Sequence, residues 1–409
     1  MATTIFYVIV SLVIFDFLFE QFLAWLNRRN WTNELPDELK DVYDAETYRK
    51  SQDYKRENER FSILTSSFSF LLLMAMFIFQ GFALLDIYLN QSIASPLLVS
   101  LAFFGILFFV SDIIGIPFSI YDTFVIEEKY GFNKTTPKLF ITDKLKSYLL
   151  TIILGGSLLS LFIWFYMATG HLFWFYTWIA ATGFMLFMFM FYSNLIVPLF
   201  NKQTPLEEGE LRNAISAFAQ KAGFELKDIY VIDGSKRSTK ANAYFTGLGS
   251  KKRIVLYDTL IKQMTTNEIV AVLSHEIGHY KHKHTLQSLV ISTLQNGFTL
   301  YVLSLLLNYP VLSQALGVEK PALHIGIIVF AVIYTPVSMI TGMFTNMLSR
   351  RNEYQADAYT KAHGLGDELI SGLKKLSKNN FSNLTPHPLY VFFHYSHPTL
   401  LQRIRAIKS

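Results

Sequence analysis

Apolar residues along this chain gather in long unbroken stretches rather than recurring at helical or strand period. A helix crossing the hydrocarbon core of a bilayer takes about 20 of them. Seven stretches reach that length: Thr4–Leu26, Phe61–Leu89, Pro96–Tyr121, Ser147–Ala168, Leu172–Leu199, Leu286–Tyr309 and Ala322–Met347. The first reads as a span rather than a cleavable leader. It is too long, it carries Asp16 and Glu20, and no basic start precedes a short apolar core. Four polar segments separate or follow the spans, residues 27–61, 126–148, 200–284 and 348–409. The 27–61 segment mixes both charges densely and predicts helix. The 200–284 segment predicts a compact α+β insert, with a helix over Leu206–Ala222, strands at Ile229–Ile232 and Ile254–Tyr257, and a helix over Thr266–His284 capped by Thr265 or Thr266. The pattern thus predicts an all-α multi-pass membrane protein of seven transmembrane helices. Its parts are helices one to five with their loops (1–199), the insert (200–284), helices six and seven (285–347) and a helical C-terminal segment (348–409).

Composition supports this class. Of 409 residues, 51% are hydrophobic and 16% charged, where a soluble domain carries about 25% charged residues. Mean hydropathy is +0.30. A disordered chain, a fibrous protein and an ordinary cytosolic enzyme are excluded. With no cysteine, disulfides, thiolate ligands and cysteine nucleophiles are excluded as well. The net charge of +5 becomes informative by placement, because 35 of the 36 Lys and Arg residues fall in the four polar segments. The positive-inside rule then puts the N-terminus outside and those segments in the cytoplasm. The partner this predicts is the bilayer, with no nucleic acid. Several polar residues nevertheless lie within or at the edges of spans: Asp16, Glu20, Asp86, Asp112, Gln287, Gln295, Asn296 and Asn346. Two readings stand for them, interhelical hydrogen bonding and a water-filled interior.

The chemistry sits in Ala271–Val–Leu–Ser–His275–Glu276–Ile–Gly–His279, an H-E-x-x-H sequence. On a helix, positions i and i+4 share a face. Both imidazoles can therefore meet one Zn²⁺, with Glu276 beside them to take a proton from water. A chain of this composition gives the spacing by chance about once in a hundred cases. A catalytic zinc keeps three protein ligands and one open position. The extended pattern with a third histidine fails, since His282 and Thr285 stand at its last two positions. Glu353, just after the seventh span and back at the level of His279, is the best third ligand. Asp357 shares its face and could hold a ligating imidazole in place. The bland alternative for both is a solvated helix face beside the membrane. His282 and His284 read as surface side chains rather than further ligands.

Several separated motifs then agree with one family. They are Thr123–Phe–Val–Ile–Glu–Glu–Lys–Tyr–Gly–Phe–Asn–Lys–Thr–Thr–Pro137, Gly234–Ser–Lys–Arg–Ser238, Asn242–Ala–Tyr–Phe245, Leu273–Ser–His–Glu–Ile–Gly–His279, Glu353–Tyr–Gln–Ala–Asp357 and Ser396–His–Pro398. Nearly the whole chain resembles the type 1 CAAX prenyl endopeptidases, the a-factor-converting enzymes. The resemblance implies seven helices forming a hollow barrel around a water-filled chamber, with one zinc at its cytoplasmic end. It also implies Glu353 as third ligand. It makes Asn242, Ala243 and Tyr244 part of an edge strand that binds substrate backbone by β-augmentation, and His397 a histidine near the zinc that stabilises the oxyanion. Arg350 or Arg351 is expected to pair with Asp357. Short external loops and an Ala406–Ile–Lys–Ser409 end without a lysine-rich retrieval signal fit a bacterial inner membrane better than the endoplasmic reticulum.

The expected activity is a zinc metalloendopeptidase in which His275, His279 and Glu353 hold the metal and Glu276 transfers the proton. Its substrates would be peptides or proteins, with prenylated C-terminal CAAX peptides as the class the resemblance implies. A membrane quality-control zinc protease of the HtpX type is the runner-up, against which the seven spans argue. A transporter with a structural zinc is the non-enzymatic alternative, against which the intact Glu276 argues.

Overall fold

The structure, a computed structural model, describes the 409 residues except 33, 225, 227 and 247–252, together with the side chains of 245 and 246. Six helical stretches are long and apolar enough to cross a membrane: Ala2–Arg29, Ala45–Ile78, Pro96–Glu127, Pro137–Phe200, His284–Leu306 and Leu323–Ala362. The Pro137–Phe200 stretch of 64 residues would measure about 96 Å if straight. It turns back at Gly170–Leu172, where Gly170 takes a φ of 54°. Phe165 consequently stacks on Tyr176 with ring centroids 5.8 Å apart. The stretch therefore holds two passes, which brings the described spans to the seven that the apolar pattern marks.

The second span is shorter than its apolar run. Its helix stops at Ile78, Gln80 adopts a left-handed conformation, and Gly81–Ser92 forms a separate helix. Packing explains the break. It brings Phe77 and Phe82 together at 5.3 Å, in a core shared with Phe103 and Ile325. The seventh helix departs in the opposite direction. It continues without interruption to Ala362 and carries Glu353 and Asp357 beyond the apolar run.

The membrane helices stand like staves around an interior. Only 6% of the most apolar window of Ala45–Ile78 and of Pro137–Phe200 is buried, against 33% for Leu323–Ala362. A packed bundle would bury a stripe of every helix. Most of the polar span residues join neighbouring elements. Asp112 accepts from Lys144 at 2.7 Å, Gln295 donates to Thr341 at 3.1 Å, Asn352 donates to Gln287 at 3.1 Å, and Asn346 donates to the Phe393 carbonyl at 2.7 Å. Asp86 bonds the buried His324 at 2.8 Å, and Ser100 lies 3.1 Å from the other nitrogen of that ring.

The insert contains a four-stranded sheet among the described residues. Its strands are β1 (Gln203–Pro205), β2 (Asp228–Ile232), β3 (Ala243–Thr246) and β4 (Arg253–Tyr257), in the order β1-β2-β4-β3. β2 and β4 run parallel, and the outer strands pair antiparallel to them. Ile254, Leu256 and Ile229 pack with Ile269, Val270 and Leu273, which fixes the site helix Thr266–Lys281 on the sheet. Thr265 caps that helix, and the Glu268 side chain bonds back to the Thr265 amide at 2.8 Å, a reciprocal pair that satisfies two orphan donors. The helix ends before the expected His284, because Lys283 turns left-handed and His284 opens the next helix.

At Gly278 the site helix packs directly against the backbone of the long Leu323–Ala362 helix. A Cβ there would sit 3.1 Å from both Ala356 Cα and Tyr359 Cβ. Ala356 is fully buried, so neither backbone has room to move. Gly278→Val is expected to lower stability by about 1–3 kcal/mol through overpacking, read as a lower midpoint of thermal unfolding in detergent. Gly105→Val, where nothing lies within 4 Å, should leave the midpoint almost unchanged.

Candidate metal centre

The crossing at Gly278 delivers Glu353 to the two histidines. His275 and His279 project from one face of the site helix, and their Nε2 atoms lie 3.1 Å apart. Glu353 Oε2 is 3.3 Å from His275 Nε2, and Oε1 is 3.2 Å from His279 Nε2. The three side chains form a group that could hold a metal ion. His275 and Glu353 are buried, with side chains 8% and 5% exposed, while His279 at 21% faces an opening.

Hydrogen bonds fix the protonation pattern. The imidazole of His275 uses Nδ1 to donate to Asp357 Oδ1 at 2.9 Å. His284 bonds Gln355 Oε1 at 2.8 Å through Nε2. An amide oxygen only accepts, so His284 Nε2 carries the hydrogen and its Nδ1 accepts from His279 Nδ1 at 3.0 Å. With both rings neutral, as a metal requires, Nε2 of His275 and Nε2 of His279 are the nitrogens left to present lone pairs at the centre. Glu353 Oε2 is also buried with no hydrogen-bond partner. Such a cluster calls for a cation at its centre. His275 responds to that field. Burial alone would lower its pKa, but the Asp357 and Glu353 carboxylates beside it outweigh burial and raise it to about 9, so a metal entering the site displaces a proton from Nε2.

Asp357 is held by Arg403 through two bonds, Nε to Oδ2 at 2.9 Å and Nη2 to Oδ1 at 2.6 Å. Arg403 Nη1 is also 3.4 Å from Glu353 Oε2. This corrects the expected pairing of Asp357 with Arg350 or Arg351. Arg350 instead caps backbone carbonyls of the Pro388–His394 helix end, at 3.2 Å to Val391 and 2.5 Å to Tyr395. Arg351 borders a cavity beside His282 and Gln287. It lies two residues before Glu353, which turns it about 200° away around the helix. Arg403 sits on the Leu400–Lys408 helix, whose Leu400, Ile404 and Ile407 pack against Ala271 and Leu369. No local spacing announces it, because 46 residues separate it from its partner. His284 is likewise not the surface side chain expected. It is 5% exposed and backs His279, whereas His282 stays at the surface and stacks on it.

His397 reaches the centre, with Nε2 3.4 Å from Glu353 Oε1 and a side chain 63% exposed. Its other nitrogen meets Ser396 Oγ at 2.9 Å. Glu276, between the two histidines, is half-buried. Asn242 precedes β3, which among the described residues is paired on one side only. Its carbonyl accepts from the Tyr257 amide at 3.1 Å. Ala243 packs into the core under the sheet, and Tyr244 contacts Ser193 at 3.3 Å. The approach to β3 is braced by the 123–137 segment. Lys134 N donates to the Arg237 carbonyl at 2.9 Å, and Lys240 meets Glu127 at 2.8 Å.

Fold and site together define a membrane-integral metallopeptidase. Residues 24–202 match the model of the CAAX prenyl protease N-terminal region with five membrane helices, and residues 205–409 match peptidase family M48. The chain is 35% identical to CAAX prenyl protease 1 of Saccharomyces cerevisiae, over 98% of this chain and 94% of that one. It is 38% identical to the homologue of Dictyostelium discoideum, over 98% and 96%. The human homologue is 32% identical, over 96% and 93%. The crystal structure of S. mikatae Ste24p superposes with a TM-score of 0.93 at 34% identity, covering 99% of both chains. The chain belongs to the CAAX prenyl protease 1 family and is a membrane metalloendopeptidase. This membership sets aside the transporter reading.

Removing one partner of a buried ion pair costs about 3–5 kcal/mol, whereas replacing both by apolar groups is far less costly. Arg403→Met should therefore lower the thermal midpoint strongly. Adding Asp357→Leu should recover more than half of that loss. A double variant no better than the single would show that the pair is not coupled.

Proposed function

We propose that His275, His279 and Glu353 hold one Zn²⁺, and that the protein uses it to hydrolyse peptide bonds near the C-terminus of prenylated CAAX substrates. The observation that carries this is the cluster of donor atoms: the two Nε2 atoms lie 3.1 Å apart, and the two oxygens of the Glu353 carboxylate stand 3.2 Å from His279 Nε2 and 3.3 Å from His275 Nε2. Four ligands at about 2.0–2.1 Å in a tetrahedron stand about 3.3–3.4 Å apart. Two imidazoles and one carboxylate, with no thiolate in the chain, suit zinc in a catalytic rather than a structural site. Bound there, the metal would lower the pKa of water and polarise the scissile carbonyl.

The remaining steps belong to the chain. Glu276 takes the proton of the attacking water and gives it to the leaving amine. His397, exposed beside Glu353, donates a hydrogen bond to the carbonyl oxygen as that atom gains negative charge. Asp357 and Arg403 keep the His275 ring turned so that Nε2 faces the site, and His284 with Gln355 does the same for His279. The free side of β3, at Asn242, Ala243 and Tyr244, aligns the substrate backbone by adding a strand to the sheet. An isoprenyl group favours entry from the membrane by about 0.8 kcal/mol per buried CH₂. The distribution of Lys and Arg supports a cytoplasmic position for the site, with the N-terminus outside. Short external loops support a bacterial inner membrane.

Purified protein in detergent should contain one zinc per chain by elemental analysis and cleave a farnesylated CAAX peptide faster than its unprenylated counterpart. Glu276→Gln should keep the zinc and lose about 10²–10⁴-fold in kcat. Cleavage by that variant at the parental rate would overturn the assignment of Glu276. Equal rates on the two peptides would favour a quality-control role. His284→Ala should weaken zinc binding about 10–100-fold, measured by chelator competition, with the zinc still recoverable at saturating metal.

A further inference from the structure

A cavity of 1060 Å³ opens between the Ala45–Ile78 helix and the Pro96–Glu127 helix, away from the metal centre. Both walls change character in the same direction. On the first helix, Lys50, Arg56 and Arg60 line the polar end, the mouth, and Phe61 and Leu64 line the apolar end. On the second, Phe118 and Tyr121 line the apolar end, and Lys129, just past Glu127, lines the polar end. The rings of Phe61, Phe118 and Tyr121 form the floor, with centroids 6.3 and 5.2 Å from Phe61. Leu64 remains 58% exposed. Arg60–Phe61 is where this helix passes from polar to apolar sequence, so the cavity straddles the level at which lipid headgroups meet hydrocarbon.

The charges at the mouth do not balance. Glu57 is committed to Lys129 at 2.6 Å and to the Tyr130 hydroxyl at 2.8 Å. Asp53 lies 3.6 Å from Arg56. Lys50 and Arg60 make no ion pair among the described residues. Two unpaired cations above an aromatic floor complement an anion that carries a chain. A zwitterionic headgroup would bring its own cation against Lys50, and a free phosphate would leave the floor unused.

We propose that this cavity binds an anionic phospholipid of the surrounding leaflet, with its phosphate at Arg60, Lys50 adding positive potential about 15 Å farther out along the same helix, and the first part of one acyl chain along Phe61, Leu64 and Phe118. Basic side chains at this level favour anionic lipid. The site is separate from the metal chemistry and stands whether or not the substrate is prenylated.

The test uses full-length protein in detergent, with phosphatidylglycerol and phosphatidylcholine offered at equal concentration and retention read by native mass spectrometry. Phosphatidylglycerol should be retained at least tenfold more than phosphatidylcholine. Lys50→Gln with Arg60→Gln should remove that preference while peptidase activity stays within twofold, which also reports folding. If the double variant does not fold, Phe118→Trp in the otherwise unchanged chain places an indole at the floor. Brominated phosphatidylglycerol should quench its added fluorescence, and brominated phosphatidylcholine should not. Equal retention of the two lipids, or unchanged preference in the double variant, would overturn the proposal. So would displacement by glycerol 3-phosphate at matched concentration, which would make the chain irrelevant. Displacement by a farnesylated peptide, mole for mole, would reassign the cavity to substrate.

Discussion

The site depends on how closely two helices can approach each other. The site helix and the Leu323–Ala362 helix meet at Gly278 and Ala356, where a single added methyl would sit 3.1 Å from a backbone carbon. Glu353 and Asp357 lie three residues before and one after that contact, so its spacing sets how far each carboxylate is from His275. Sheet packing on one side and the Leu400–Lys408 helix on the other press the two helices together. The hydrophobic effect supplies that pressure without direction, and glycine turns it into a position.

Burying this much charge is costly unless each group is paired and hydrogen-bonded. Arg403 neutralises Asp357, Asp357 orients His275, and Glu353 faces the Nε2 atoms of the two histidines. Each group supplies what its neighbour lacks. The centre keeps one open side, where His397 remains exposed at 63% and Glu276 half-buried. Arg403 sits behind, on the buried face of the C-terminal helix. An inner side that is closed and an outer side that is wet suit a reaction whose reagents are water and an extended chain.

Much of this was legible in the sequence. The apolar runs marked seven passes because a bilayer demands length and little else. His275, Glu276 and His279 share a local spacing that a helix turns into a face. Glu353 and Asp357 could be named because they share a second face at the same membrane level. Arg403 and His284 were not legible. Arg403 acts through a contact across 46 residues, and Arg350 and Arg351 lay nearer in sequence. His284 depends on the left-handed turn at Lys283, which breaks the periodicity by which its direction would have been read. The early stop at Ile78 was hidden for a similar reason, since Phe77 and Phe82 break an apolar run by packing together.

The unbroken 40 residues of Leu323–Ala362 make that helix a lever. Glu353 lies about 25 Å along its axis from Pro336, at 1.5 Å per residue. A tilt of about 2° there would swing the carboxylate by about 0.9 Å, beyond the roughly 0.5 Å within which a catalytic constellation stays productive. Mismatch between helix length and bilayer thickness is accommodated in part by tilt, and thus the lipid around the protein bears on the alignment of Glu353 with the two histidines. The Gly278 crossing and the Arg403 clamp are the fulcrum stops that hold the lever still.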